Sequence, residues 1–291
     1  MTLADMADHV VERIGSPDVE SVKQAKRFIK YRYQMLYGTH LWQDSKVTLD
    51  LETSSNEVIL PNWVDKVLQV IVDNRRLSSF DRQNIAEVDP RLLEETGELI
   101  GFSMLSTVGT HTHPVGVKVT LESTETTDNS NVRLRGLYGG LEVEETVVLS
   151  GTTPVTSTNY FDEITSLSKA ATSGAVKAKR VSDSAEELVV LLPSENDRRH
   201  SRIQIHRNFT GTKTLTVMAK RKVTPLIHDY DTPTLDCSGA LVAFATADML
   251  DRMRQAGKAQ AKVAEAQALV ASMVDRDRNQ QAHVVRFIPE D

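Results

Sequence analysis

The stretch from Asp236 to Val274 constrains the fold more than any other part of the chain. It runs without a proline and carries apolar or small side chains at helical spacing. Ser238 is placed to act as its N-cap, accepting a bond from one of the orphan amides that follow. One heptad set reads Val242, Met249, Ala256, Val263 and Val270, and the other Thr246, Met253, Gln260, Gln267 and Val274. The lone Gly257 weakens this pattern locally without ending it. Read as one continuous helix, the segment is a rod on the order of 50 Å, longer than a small domain is wide. Alanines and glutamines occupy seam positions where leucines would drive a tight coiled coil. The pattern therefore predicts many shallow contacts between copies in an assembly, with Val242, Met249, Met253, Val263 and Val270 at the oligomer interface. The competing expectation is an ordinary core helix.

Composition narrows the function classes. The 291 residues are 40% apolar and 25% charged, as in a chain with a packed core, and the net charge is −6. No segment is strongly basic, so no electrostatic footprint for a DNA backbone is present. Aromatics make up 5%, which argues against a nucleic-acid stacking platform. Cys237 is the single cysteine, so no intrachain disulfide is possible. The opening MTLADMADHV has neither a basic nor an apolar leader segment, and no apolar run approaches the ~20 residues that span a bilayer; no signal peptide and no membrane association are expected.

Two helices open the chain. The first has Leu3, Met6, Val10 and Ile14 on one face, Thr2 as N-cap with Asp5 three residues on, and Gly15 as its stop. The second starts around Ser16-Pro17-Asp18, buries Val22, Ala25, Ile29, Tyr33 and Leu36, and ends at Gly38. Its aromatic-rich end, running to Trp42, is expected to anchor on the sheet that follows. From Lys46 the apolar period changes to two. Strands are expected at Val47–Leu51, Val58–Leu60 and Trp63–Val72 with a turn at Asp73-Asn74, then a short helix from Phe80 to Glu87. Two more strands lie within residues 99–121, around a loop holding His111 and His113. Short strands at regular intervals from Val132 to Val181, behind the polar linker Ser123–Asn129, suggest an inserted β-sandwich over residues 122–183. Strands at Leu188–Leu192, Arg202–His206 and Thr212–Val223 are expected to resume the host sheet. An acidic connector, Pro225 to Pro233, leads to the long helix. A polar spacer, Asp275 to Gln281, then holds an apolar C-terminal tip with Val284, Val285, Phe287 and Ile288.

No phosphate-binding glycine loop, nucleophile elbow, HExxH helix or paired-cysteine zinc pattern occurs. His111 and His113 have no third ligand at a recognisable spacing. Asp229 and Asp231 read as solvated loop carboxylates. Catalytic, cofactor and metal residues are accordingly expected to be none, and the chain reads as a non-enzyme.

The layout resembles the head–tail adaptor (connector) proteins of tailed bacteriophages. The resemblance rests on the two opening helices with Arg27, Arg32, Tyr33 and the closing Trp42, and on Leu60-Pro61-Asn62-Trp63-Val64-Asp65-Lys66-Val67-Leu68-Gln69-Val70. Thr224-Pro225-Leu226, the Asp-rich connector and the C-terminal helix complete it. Val132–Leu137, Glu145-Thr146-Val147 and Gly151-Thr152-Thr153 resemble an immunoglobulin-like insertion found in some of these proteins. The resemblance implies a homo-oligomeric ring, commonly of twelve subunits, docked under the portal protein and connected to a tail or tail-nozzle protein. DNA would be passing cargo only, and the location would be the virion neck after synthesis in the host cytoplasm. A tail-completion or capsid decoration protein, or a carbohydrate-binding β-sandwich protein, are the alternatives; surface-aromatic pairs would favour the last, yet the insertion has only Tyr138, Tyr160 and Phe161.

The expected fold is α+β. Residues 1–45 and 236–278 form a helical bundle, 46–121 and 184–235 a mainly antiparallel β-domain, 122–183 the immunoglobulin-like sandwich, and 279–291 a C-terminal arm. In that arm Val284, Val285, Phe287 and Ile288 are expected to dock on the portal by strand addition.

Overall fold

The computed structural model describes residues 1–80, 99–182 and 186–282. The expected helix after Phe80 and the arm residues Val284, Val285, Phe287 and Ile288 lie outside the described residues. The fold is α+β, with helices at both chain ends and mainly antiparallel sheets between them. The chain divides into two compact units, residues 1–47 with 220–291 and residues 48–219.

The first unit is helical. Helix α1 (Leu3–Ile14) begins with a reciprocal capping box, in which the Asp5 amide donates to Thr2 Oγ1 and the Thr2 amide to Asp5. Gly15 closes it in the left-handed region. Helix α2 (Val19–Thr39) is capped by Asp18 and runs through Gly38. The expected single C-terminal rod is two helices, α3 (Ser238–Arg252) and α4 (Ala256–Ala282). The break falls three residues before Gly257. Arg254 adopts φ 58°, its amide donates to Asp251 and the Gln255 amide to Leu250, so the last carbonyls of α3 are satisfied and the chain reverses. Asp236 and Gly239 accordingly lie beside Arg276 and Leu269. At ~1.5 Å per residue, the 15 residues of α3 cover about half the length of the 27-residue α4. Ser238 is the first helical residue, and Cys237, at the N-cap position, makes no side-chain cap bond.

Residues of α1, α2, α3 and α4 join in one core: Leu3, Met6 and Val10 from α1, Ala25, Ile29, Tyr33 and Leu36 from α2, Leu241, Val242, Ala245 and Met249 from α3, with Val270 and Met273 of α4 against them. Trp42, Tyr33 and Tyr37 belong to this helical core, and the Trp42 indole donates to Leu36 O at 3.1 Å.

The second unit opens with a seven-stranded sheet. Its strands are β1 (Lys46–Thr53), β2 (Glu57–Ile59), β3 (Val64–Val72), β4 (Arg75–Ser79), β5 (Gly101–Val108), β13 (His200–His206) and β14 (Lys213–Arg221). Their order is β1-β14-β3-β4-β5-β13-β2, antiparallel at β3–β4, β5–β13 and β13–β2 and parallel between β4 and β5. The two edge strands are consecutive in the chain, separated by residues 54–56. Seven flat strands would hold their edges ~29 Å apart, whereas that connection reaches at most ~14 Å. The sheet must therefore curl until its edges approach. Asp73 and Asn74, at φ 50° and 63°, supply the predicted tight β3–β4 turn.

The sandwich is larger than expected. It contains β6 (Val119–Ser123), β7 (Asn131–Tyr138), β8 (Leu141–Val148), β9 (Val155–Thr156), β10 (Glu163–Lys169), β11 (Val176–Arg180) and β12 (Glu187–Leu191). They form a three-stranded sheet, β10-β7-β8, and a four-stranded sheet, β12-β11-β6-β9. Strands β6 and β12, expected in the host sheet, instead pair with β11, and Val119, Leu121, Leu188 and Leu191 are part of the sandwich core. The order also differs from that of a constant-type immunoglobulin domain, in which the second and third strands lie in opposite sheets; here they are the β7–β8 hairpin.

Two outcomes follow. Replacing Arg254 by Gly removes a side chain from a left-handed position and should stabilise by about 1 kcal/mol, read as a rise of a few degrees in melting temperature. Replacing residues 117–192 with a Gly/Ser linker should leave a cooperative melt. Replacing only 124–182 leaves Val119, Leu121, Leu188, Val189 and Leu191 of the sandwich core in solvent and should yield aggregation, checked by light scattering and calorimetry.

Candidate functional site

Helix α3 is apolar on nearly every face. Ala240, Leu241, Val242, Ala243, Ala245, Thr246, Ala247, Met249 and Leu250 are all buried, and such a helix has to be enclosed. Its one acidic side chain in mid-helix, Asp248, is answered by Arg32 of α2. The guanidinium donates through Nε and Nη2 to the two carboxylate oxygens, the first at 2.8 Å, while lying 5.1 Å from the Phe244 ring centre. Fork-to-fork geometry of this kind fixes the rotation of one helix against another. The pairing holds the Arg32 charge more firmly still, raising its pKa.

This enclosure corrects the expected interface. Val242 and Met249, 2% and 5% exposed, serve the unit's own core, and Val270 packs against that core. Val263 is half-buried. Met253, at 44%, stays on the surface beside the α3–α4 turn, and Leu269 is 40% exposed on α4. One stripe of α4 faces inward, through Ala259, Ala266 and Asp277, and most of the remaining described surface, including Ala261, Ala264, Ala268 and Ala271, is open.

The expected polar spacer is itself helical. Asp277 is buried and acts as a clasp on the end of α2, with His40 Nε2 3.0 Å from Oδ2 and the Gln43 amide donating to Oδ1 at 2.8 Å. The acidic connector also has a local task. The Leu3 amide donates to Asp231 O and the Ala4 amide to Asp229 O, so two orphan donors of the first turn of α1 are met by a segment more than two hundred residues away. The Asp229 carboxylate accepts from Lys26 Nζ, and Asp231 accepts from the amides of Ile227 and His228. Both carboxylates are therefore occupied structurally. Cys237 is buried, and desolvation pushes its thiol pKa up to about 12, the reverse of what a nucleophilic thiol needs.

In the second unit, a charged cluster links the curled sheet to the sandwich. Arg202 of β13 is 7% exposed. It donates to Glu57 of β2 and Glu163 of β10, both at 2.8 Å, and to the carbonyl and hydroxyl oxygens of Ser106 in β5. His113 Nε2 lies 2.9 Å from the same Glu57 carboxylate. The bond from His113, then the bond and charge of Arg202, bring the Glu57 pKa down to about 2 against the opposing effect of burial. The His111 ring centre is 6.3 Å from that of His200. Among the described residues, no group of three or more His, Cys, Asp or Glu side chains gathers as a metal site would require. No helix among the described residues is long and apolar enough to cross a membrane.

Sequence reasoning missed this cluster because Glu57, His113, Glu163 and Arg202 have no fixed spacing; only the fold collects them. Asp248 did leave a signal, as a lone carboxylate inside an apolar helical run. No known protein family matches the chain, and no characterised protein is detectably similar to it.

The low pKa of Glu57 sets a pH dependence. Its folded-state value lies below the ordinary carboxylate value of 4.5, so its contribution is complete above that pH and is lost as pH falls from 4.5 through about 2. Melting temperature should drop across this window in the wild type. Glu57→Gln should flatten that part of the drop and lower stability at pH 7, measured by calorimetry at pH 7, 4.5 and 3.

Proposed function

We propose that this chain is a structural head–tail adaptor of a tailed bacteriophage. It assembles as a homo-oligomeric ring, docks under the portal protein and connects the DNA-filled head to the tail through a tail or tail-nozzle protein. DNA is cargo passing through the ring, and the mature location is the virion neck. One observation carries the reading. The opening helices up to Trp42 and the helices from Ser238 onward, separated by the whole β-rich middle of the chain, fold together as one unit around α3. That is the order, helices then β-structure then helices in one bundle, which the sequence resemblance to adaptors implies. The Trp42 and Tyr33 side chains that carry the resemblance are core residues of this bundle, and Arg32 is its half-buried cross-link to α3.

The surface of the bundle supplies contacts for neighbours. Helix α4 presents an open face of small residues with Leu269, and Met253 projects at the α3–α4 turn. On α2, Lys23, Arg27, Tyr31 and Met35 form an exposed stripe at helical spacing. The inserted sandwich is carried by the β unit, outside the helices that match the adaptor layout.

Mixing the purified chain with its portal should give closed rings in electron micrographs. The double variant Met253→Asp with Leu269→Asp should keep its melting temperature within a few degrees and fail to close the ring. Met249→Asp serves as the contrast: a carboxylate placed in the core costs on the order of 4 kcal/mol or more and should unfold the helical unit. A chain that stays monomeric with portal present would sink the adaptor reading. Rings formed by the double variant would move the interface away from this face.

A further inference from the structure

The elbow between α1 and α2 carries a groove that the helical core leaves open. Helix α1 stops at Gly15, and the chain turns through Ser16 and Pro17 into the Asp18 cap of α2. A groove of about 550 Å³ lies there, lined by Val11, Pro17 and Val22, with Asp8 and Glu12 on the α1 side. Val19, one helical turn before Val22, is 73% exposed beside it. The lining offers an apolar floor and two carboxylates, and no cation is among its residues.

The chain holds one segment of matching chemistry. After Ala282 the sequence reads His283-Val284-Val285-Arg286-Phe287-Ile288, four apolar residues around an arginine. Its own groove is out of its range. The Arg13 guanidinium, near the elbow, meets Glu265 of α4 at 3.6 Å, while Asp277 is clasped by His40 and Gln43 at the far end of α2. Helix α4 therefore runs away from the elbow, and Ala282 lies beyond the clasp. Val22 and Thr39 are already ~25 Å apart along α2. From Ala282 to Phe287 the chain spans at most ~18 Å.

A smaller cleft of about 270 Å³ does lie within reach, above the buried Trp42 and Leu235. Its rim is charged, with Asp44, Asp236, Arg276 and Asp277, so apolar side chains entering it would strip water from ionised groups. The α1–α2 groove has the better match: apolar anchors seek a dry pocket, and opposite charges at its edge fix the register. The arm and the groove stand at opposite ends of one helical unit. A contact between them in different copies is head-to-tail, the kind that closes into rings when the rotation permits.

We propose that residues 283–288 of one copy seat in the α1–α2 groove of the next copy. Phe287 and Ile288 cover Val11, Pro17 and Val22, and Arg286 faces Asp8 and Glu12. The arm is thereby assigned to the neighbouring subunit in place of the portal. The inference rests on the homo-oligomeric part of the adaptor reading and adds a second contact to the open face of α4.

The test has two arms. A fluorescein-labelled peptide of residues 279–291 is titrated with the full-length protein and followed by anisotropy. Saturable binding is expected. Asp8→Lys with Glu12→Lys in the protein, or Phe287→Ala in the peptide, should each weaken it about tenfold or more. Circular dichroism melts verify that the protein variant is folded. In the second arm, full-length chains carrying Val22→Cys are mixed with chains carrying Phe287→Cys and treated with a short bismaleimide. The native Cys237 is buried and does not compete. Covalent dimers are expected in the mixture well above either variant alone. No peptide binding, or binding that the double lysine variant retains, overturns the proposal. So does a chain carrying both cysteines that cross-links only within itself, or a Phe287→Cys chain that cross-links to purified portal and not to Val22→Cys chains. Closed rings with portal but no arm-to-groove dimer would sink this contact alone. Arm-to-groove dimers in a chain that never closes a ring with portal would support the contact and sink the adaptor reading.

Discussion

A helix with no polar face cannot lie on a surface, and α3 is such a helix. Water has to be removed from Leu241, Val242, Ala245 and Met249 on one side and from Ala240, Ala243, Ala247 and Leu250 around the rest. No single neighbour can do this. The first helices of the chain and the last must therefore be brought together around it, whatever is threaded between them. Sealing α3 is the constraint behind the closed termini, the folded-back α4 and the placement of Trp42. At roughly 1.5–3 kcal/mol for each large apolar side chain buried, the gain outweighs the one polar intrusion, Asp248, which Arg32 neutralises with matched geometry.

The β-rich middle solves a different problem. Its host sheet hides its edges by curling, since β1 and β2 are joined by a three-residue connection while standing at opposite ends of the strand order. The sandwich that leaves this sheet between β5 and β13 is fastened to it by Arg202, with Glu163 on the sandwich side and Glu57 and Ser106 on the sheet side. A buried arginine held by two carboxylates is costly to break by removing one partner, because the remaining charge stays desolvated. The cluster is thus a fastening whose strength depends on Glu57 remaining ionised.

Much of this was legible in the residues. Thr2 with Asp5, Gly15, the change of period at Lys46, the Asp73-Asn74 turn and the strand rhythm after Asn131 each act over a few residues, so the sequence alone determined the local elements and the α+β class. The long-range pairings were not legible. Period alone does not say which sheet a strand joins, and β6 and β12 read equally well as host strands until β11 claims both. Helical periodicity likewise continued through Arg254, because an arginine carries no sign that it will adopt a left-handed conformation; the apolar faces of α3 and α4, satisfied by folding back on each other, decided it. The same contacts took Val242 and Met249 from the expected interface into the core. The Arg202 cluster exists only because distant segments meet, and the free energy that brings those segments together belongs to the buried area of the whole unit and to no local motif.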